Sequence, residues 1–156
     1  MSAFKFSLES VLKVREKAEA AAQENHAAAV RHVGRAEIEL REAQAELEEL
    51  NAKLERMQRQ SFRPADRALF WNATAYQKDF CGRLAEKLER AHEEAQASHT
   101  ALLAARRDHE ALLRLKEKER EEHDRLAEQA ERAMIDDFVN ARHANKRAIA
   151  NDEVTA

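Results

Sequence analysis

Hydrophobic residues in the segment 33–57 recur with the spacing of a coiled coil. One series is Val33, Leu40, Leu47 and Leu54, and the second, three residues later, is Ala36, Ala43, Leu50 and Met57. Alternating steps of three and four residues place both series on one stripe of a helix, which forms a coiled-coil seam. Charged residues occupy most of the remaining positions, so this segment predicts an amphipathic helix with a single apolar face.

Toward the N-terminus the same frame is interrupted by polar residues. Residues that fit it are Leu8, Leu12, Ala22 and Ala29, while Arg15, Glu19 and His26 also fall on it. An alternative frame avoids these polar residues and passes through Val11, Val14, Ala18 and Ala21. A shift of frame near residues 22–30 is therefore a second interpretation. Gly34 costs a helix up to about 1 kcal/mol relative to Ala, and we expect the helix to continue through it.

A second amphipathic segment follows, with a longer and more polar seam. Its apolar positions are Phe80, Leu84, Leu88, Ala91, Ala95, Leu102, Ala105, Leu112, Leu126 and Ala130. Ser98, His109, Lys116, Glu119 and His123 fall on the same stripe. The pattern predicts a second long helix whose interface is weaker than that of the first.

A short breaker, "SFRPAD", separates the two segments. Pro64 lacks a backbone donor and disfavours helix at Arg63, and Ser61 and Asp66 are both suitable N-caps. We therefore predict an all-α fold: a long antiparallel two-helix coiled-coil hairpin, a rod with its turn near Pro64. The expected boundaries within a single domain 1–156 are a first helix 3–60, a turn 61–66, a second helix 67–147 and a frayed tail 148–156. This register places Leu54 opposite Thr74, Leu40 near Leu88 and Leu8 near Arg120, and leaves Ala130 onward without an intramolecular partner. A parallel homodimer kinked at Pro64 is the alternative fold.

Composition narrows the possible functions. The chain has 156 residues, 37% of them charged and only 5% aromatic, which is too few large apolar side chains for a compact globule. The net charge of −3 argues against a nucleic-acid partner, and the basic cluster 142–147 fits the C-terminus of a helix better than a phosphate-binding site. No apolar run is long enough to span a membrane, and the opening residues are too polar for a signal peptide. With one cysteine, Cys81, the chain suits a reducing compartment, and we expect a cytoplasmic protein.

The sequence carries no signature of an enzyme. Two isolated glycines cannot build a phosphate loop, and no two histidines lie at the i,i+4 spacing of a helical metal clamp. His92 and His99, seven residues apart, fit solvated or seam positions better than a metal site, and Cys81 fits a packing role. We expect no catalytic residue, no cofactor and no metal, and therefore a protein that binds partners.

Three segments offer surfaces for a partner. Phe4 and Phe6 lie at the entry to the first helix, where they either bind a partner or anchor the overhanging second helix. The window 62–80 holds the only Trp and the only Tyr of the chain. Near the C-terminus, Ile135, Phe138 and Val139 form an apolar stripe on a helix that is expected to be unpaired.

These motifs together resemble the FliJ family, the small coiled-coil component of the flagellar type III export apparatus. The resemblance rests on the order of an F-x-F-x-L opening, an aromatic start to the second helix followed by "EKLERA", and an acidic, aromatic and basic closing segment. It implies a rod that inserts into the hexameric flagellar export ATPase, promotes its activity, and links it to the export gate, a membrane protein with a cytoplasmic domain, and to export chaperones. It also implies a monomer at the cytoplasmic face of the inner membrane at the flagellar base.

The resemblance also suggests roles for particular residues. Contacts with the ATPase are expected from Phe4, Phe6, Ile135, Asp136, Asp137, Phe138, Arg142 and Lys146. Contacts with the export gate are expected from Trp71, Tyr76, Phe80 and Leu84. The expected core of the coiled coil is Val33, Leu40, Leu47, Leu50, Leu54, Leu88, Leu102 and Leu112. Two alternative functions are the equivalent stalk of a virulence-type secretion system and a structural coiled coil without an ATPase partner.

Overall fold

Two long helices make up almost all of the described chain. A computed structural model describes the backbone of residues 3–155 and the side chains of residues 3–147. Helix α1 spans Glu9–Arg59 and helix α2 spans Pro64–Thr155, and residues 3–155 contain no strand. The helices pack against each other in antiparallel orientation, so the predicted all-α helical hairpin is confirmed.

Helix boundaries differ from the prediction at both ends of the sequence and at the turn. Helix α1 begins at Glu9 after a turn at residues 7–8, across which the Glu9 N–H donates to the Phe6 carbonyl at 3.4 Å, so the predicted start at residue 3 is wrong. The Arg67 N–H donates to the Arg63 carbonyl at 3.2 Å, which makes Arg63 the N-cap and Pro64 the first helical residue. Proline is favoured there because the N–H it lacks has no partner within the helix, and the helix therefore begins three residues earlier than expected. Asp66 lies in the first turn, where its charge complements the helix dipole.

At its other end, α2 continues through the segment that was expected to fray. It ends at Thr155 rather than at residue 147. The side chains beyond residue 147 lie outside the described part of the chain.

The chain divides into two compact units, one of residues 15–107 and one that joins residues 1–14 to residues 108–156. In the first unit, α1 contributes the buried residues Ala36, Ala43, Leu54 and Met57, and α2 contributes Cys81, Leu84, Ala91 and Leu102. Ala43, Cys81 and Leu84 form the centre of this core, with Leu40, Leu47 and Phe80 packed around them. Of the eight expected core residues, Leu54 and Leu102 are buried and the other six are half-buried.

Helix α1 keeps one heptad frame along its length. The four residues of the alternative frame, Val11, Val14, Ala18 and Ala21, are all exposed, so a frame shift is excluded. Polar residues on the seam find partners on α2 instead. The Glu19 carboxylate lies 3.3 Å from Nε of Arg106, and the His26 ring lies 5.1 Å from that of His99.

His26 also reaches across the seam to a serine. Its Nδ1 lies 3.0 Å from the Ser98 hydroxyl, which itself donates to the Ala95 carbonyl at 2.8 Å. The Ser98 hydroxyl therefore links the His26 ring of α1 to the backbone of α2. Glu19 and His26, two of the polar residues on the seam, are therefore matched by polar groups of α2, which removes the need for a different frame.

The second unit is held by contacts between the N-terminal segment and the middle of α2. Glu9 forms an ion pair of 2.7 Å with Lys116, whose ammonium also lies 5.9 Å from the centroid of the buried Phe6 ring. Leu12 is buried in this unit and Leu112 is half-buried. Every described side chain from 128 to 147 is exposed. Within the described residues, no helix is apolar over a length that would cross a membrane.

Candidate functional site

The two N-terminal phenylalanines are used inside the molecule. Phe6 is buried against Lys116, and the half-buried Phe4 ring lies 5.6 Å from the ring of His123 at an angle of 59°. They therefore anchor the N-terminal segment to α2, which was one of the two roles open to them. Phe6 in particular has no free surface to offer the ATPase in this conformation.

An apolar stripe lies on the exposed C-terminal part of α2. We use the name C-terminal surface for this stripe and the two basic residues on the same face: Met134, Ile135, Phe138, Val139, Arg142 and Lys146. Phe138 has 70% of its side chain exposed, and the other three apolar residues are also exposed. Phe138 and Val139 line a shallow concavity together with Arg142, His143 and Lys146. This arrangement suits a partner with an apolar pocket bordered by acidic groups.

The predicted acidic pair does not share this stripe. At about 100° per residue, Asp136 and Asp137 lie roughly 120° or more around the helix from the centre of the stripe. A partner that covers the stripe therefore meets Arg142 and Lys146 first and the two aspartates only at its edge.

The four residues expected at the export gate do not form one surface. Leu84 is buried in the core with Ala43 and Cys81, and Phe80 is half-buried at its edge. Tyr76 has 66% of its side chain exposed and lies within about 40° of Phe80 around the helix. Trp71 lies about 180° from Phe80, on the opposite side of α2.

The guanidinium group of Arg83 contacts the rings of both Tyr76 and Phe80. The Arg83 guanidinium carbon lies 5.9 Å from the Tyr76 ring centroid and 5.8 Å from that of Phe80, within the range of cation–π contacts. Nη1 of Arg83 also lies 2.6 Å from the Asp79 carboxylate, which holds the guanidinium over both rings. We call Tyr76, Asp79, Phe80 and Arg83 the Tyr76–Phe80 patch.

Trp71 instead lies beside the turn between the helices. One of its sides borders a groove with Leu47 and Leu54 of α1, and the other borders a concavity with Phe62, Pro64 and Arg67. Trp71 is 63% exposed, so it packs against the hairpin without being enclosed.

The sequence interpretation missed one buried polar residue, Gln77. Its side-chain amide donates to the Ala43 carbonyl at 3.0 Å and to the Glu46 carboxylate at 3.1 Å. Extending the seam one heptad back from Leu84 reaches this residue, so the signal was present in the spacing. Gln77 thus links α2 to α1 by two hydrogen bonds in the same part of α2 as Tyr76 and Phe80.

Metal ligands and reactive groups are not brought together in the described part of the molecule. Residues 3–147 contain no group of three or more His, Cys, Asp or Glu side chains placed to hold a metal ion. Cys81 is a buried, free thiol within the core cluster, where it packs. The features that stand out chemically are therefore exposed apolar and aromatic surfaces.

Comparison with known proteins identifies the family. No curated protein and no solved structure matches the chain significantly. The family model described as flagellar FliJ protein matches residues 4–148, which covers α1, the turn, most of α2 and all three candidate surfaces. With this match along nearly its whole length, the chain belongs to the FliJ family of flagellar export proteins.

Proposed function

We propose that this chain is a non-enzymatic stalk and adaptor of the flagellar export ATPase. Its C-terminal surface inserts into the hexameric ATPase ring and promotes ATPase activity, and its Tyr76–Phe80 patch contacts the cytoplasmic domain of the export gate. The observation that carries this proposal is the exposed C-terminal part of α2, where four large apolar side chains have no partner on α1.

The C-terminal surface has the properties expected of a helix that binds inside another protein. Large apolar side chains on one face of a helix gain free energy when a complementary groove removes them from water. Arg142 and Lys146 on the same face add attraction for an acidic pore and orient the helix within it. Phe4 and Phe6 have an indirect role. They fix the N-terminal segment to α2 at His123 and Lys116, which precede the C-terminal surface, and so leave that surface uncovered.

The gate contact is supported by the Tyr76–Phe80 patch. Exposed aromatic residues beside an arginine are typical of the residues that dominate protein interfaces. Leu84 and Gln77 support the patch from the α1-facing side of α2, because they hold this part of α2 against α1. On this proposal Leu84 is a support for the patch, and Trp71 lies outside it.

The remaining parts of the proposed role concern location and partners. The family is that of the flagellar apparatus, which favours it over a virulence-type stalk. We propose a cytoplasmic monomer that works at the inner face of the membrane at the flagellar base and escorts export chaperones. A generic structural coiled coil would have no use for an unpaired apolar stripe.

The ATPase contact is tested with Phe138→Ala. Loss of an exposed aromatic anchor from an interface centre typically costs about 2 kcal/mol or more, which weakens binding by about thirtyfold or more. We expect this variant to keep its helicity by circular dichroism, and to lose retention on the immobilised ATPase and stimulation of ATP hydrolysis. Leu113→Ala is the matched control, because Leu113 is an exposed apolar residue of the same helix outside the C-terminal surface. A Phe138→Ala protein that binds and stimulates normally would remove the C-terminal surface from the proposal.

The gate contact is tested independently with Tyr76→Ala. This variant is expected to bind the ATPase as the unchanged protein does, and to bind the isolated cytoplasmic domain of the gate at least about fivefold more weakly. Phe138→Ala serves as the reciprocal control, since it should retain gate binding. If both variants lose both partners together, the two surfaces are not separate and the assignment fails.

A further inference from the structure

The turn end of the hairpin, residues 56–67, carries a net positive charge, as does the basic cluster 142–147. Residues 56–67 contain four arginines and one aspartate, a formal charge of +3 in a chain whose net charge is −3. Arg56, Arg59, Arg63 and Arg67 are all exposed. Among the described side chains, none of these arginines takes part in an ion pair, so no described carboxylate neutralises their charge.

Large apolar side chains are exposed at the same end. Leu69 and Trp71 are 67% and 63% exposed, and Phe62 in the segment between the helices is also exposed. Leu69 and Trp71 are two residues apart, which places them about 200° from one another around α2. The apolar residues at this end therefore face in nearly opposite directions.

This distribution limits what can cover the surface. A partner helix or an extended peptide lies along one face of α2 and buries either Leu69 or Trp71. A lipid surface that meets the hairpin end-on contacts both faces of α2 and the turn at once. The indole of Trp71 suits the region between lipid head groups and acyl chains, where tryptophan is enriched.

The arginines supply the complementary charge. They come from the end of α1, from the turn and from the first turn of α2, so each of the elements at this end contributes positive charge. Guanidinium groups bind phosphate oxygens in a bidentate manner, and basic residues near an anionic membrane are attracted by its surface potential. Arg67 lines the same concavity as Phe62 and Trp71, which places a phosphate-binding group beside two aromatic rings.

We infer that the turn end of this hairpin is a docking surface for anionic phospholipids. Phe62, Leu69 and Trp71 enter the head-group region, and Arg63 and Arg67, with the two arginines of α1, bind the phosphates. The inference is independent of the ATPase and gate contacts, because it uses neither the C-terminal surface nor the Tyr76–Phe80 patch. It assigns the molecule a second kind of partner, the bilayer itself.

Trp71 provides the measurement, because it is the only tryptophan of the chain. The full-length protein is titrated with vesicles of phosphatidylglycerol and phosphatidylcholine, and separately with vesicles of phosphatidylcholine alone. We expect the Trp71 emission to shift to the blue with the anionic vesicles and to remain unchanged with the neutral ones. About 0.5 M salt should reverse the shift, because screening shortens the range of the attraction.

The charge requirement is tested with Arg63→Gln/Arg67→Gln. Each basic residue near an anionic surface contributes about fivefold to binding, so the double variant should bind anionic vesicles about thirtyfold more weakly. Its matched control is Arg90→Gln/Arg107→Gln, which removes the same charge from exposed positions outside the turn end and should change binding less than twofold. Circular dichroism checks that both remain helical.

Three outcomes would overturn the inference. The first is the absence of a shift with anionic vesicles, and the second is an equal loss of binding in both double variants. The third is a shift produced by soluble poly-glutamate but not by vesicles, which would make this end a site for an acidic protein.

Discussion

Replacing Leu102 by alanine tests the register of the two helices most directly. Leu102 is 4% exposed on the seam of α2, whereas its neighbour Leu103 is 38% exposed. Truncation of Leu102 removes three carbon atoms from a buried position, and at about 0.8 kcal/mol per methylene the transfer term is about 2.4 kcal/mol. A two-helix interface opens to solvent on both sides, so the additional cavity term should be small. We therefore expect a loss of about 2–3 kcal/mol in the free energy of unfolding.

The assay is urea unfolding followed by circular dichroism at 222 nm and by Trp71 fluorescence. Trp71 and Leu102 belong to the same compact unit, so both signals should change in one transition. In a thermal scan the same loss corresponds to a Tm lower by roughly 5–10 °C for a chain of this size. Leu103→Ala is the internal control, and we expect it to cost less than about 1 kcal/mol. Equal destabilisation by the two variants, or a larger effect of Leu103→Ala, would refute the assignment of Leu102 to the helix interface.

Three further predictions follow from the packing. Gly34→Ala and Gly82→Ala should each raise the free energy of unfolding by up to about 1 kcal/mol, because alanine is the better helix former and the added Cβ meets no atom within 4 Å. Urea titration measures this change, and a loss of stability would contradict the prediction. Phe6→Ala should release the N-terminal segment from α2 and accelerate tryptic cleavage at Lys13. Limited proteolysis with mass spectrometry measures the cleavage rate, and an unchanged rate would mean that Phe6 does not hold the segment. Sedimentation at micromolar concentration should give one species of 17.9 kDa, and an obligate dimer would favour the parallel arrangement instead.

The fold was predictable because it depends on a regular pattern. Leucine and alanine at steps of three and four residues define the seam of α1, and one proline marks the turn. The turn then fixes which residues face each other: the ion pair between Glu39 and Lys87, at 2.5 Å, lies beside the predicted neighbours Leu40 and Leu88. The helix boundary was less predictable, since Pro64 both breaks a helix that precedes it and begins one that follows it.

Surfaces were harder to predict than the core. Trp71 and Phe80 are close in sequence and look like members of one aromatic group, but a helix places them on opposite sides. Proximity in sequence is a poor guide to a shared face, and the helical angle has to be applied residue by residue. Phe6 was ambiguous for another reason, because the long side chain of Lys116 that covers it is more than 100 residues away.

Polar residues on the seam of α1 are misleading about the heptad frame when that helix is considered without α2. Glu19 and His26 are unfavourable in an apolar stripe, which made a change of frame attractive. Their partners Arg106 and Ser98 are supplied by the other helix. A polar residue at a seam position is therefore informative only when the opposite position is known.

These matched pairs have an evolutionary consequence. A substitution of Glu19 alone leaves the Arg106 guanidinium facing an interface without its carboxylate, and a substitution of His26 alone removes the hydrogen bond to Ser98. Each change is tolerated best when the opposite residue changes with it. Positions 19 and 106, and positions 26 and 98, should therefore covary among homologues, whereas the exposed Leu103 should vary on its own.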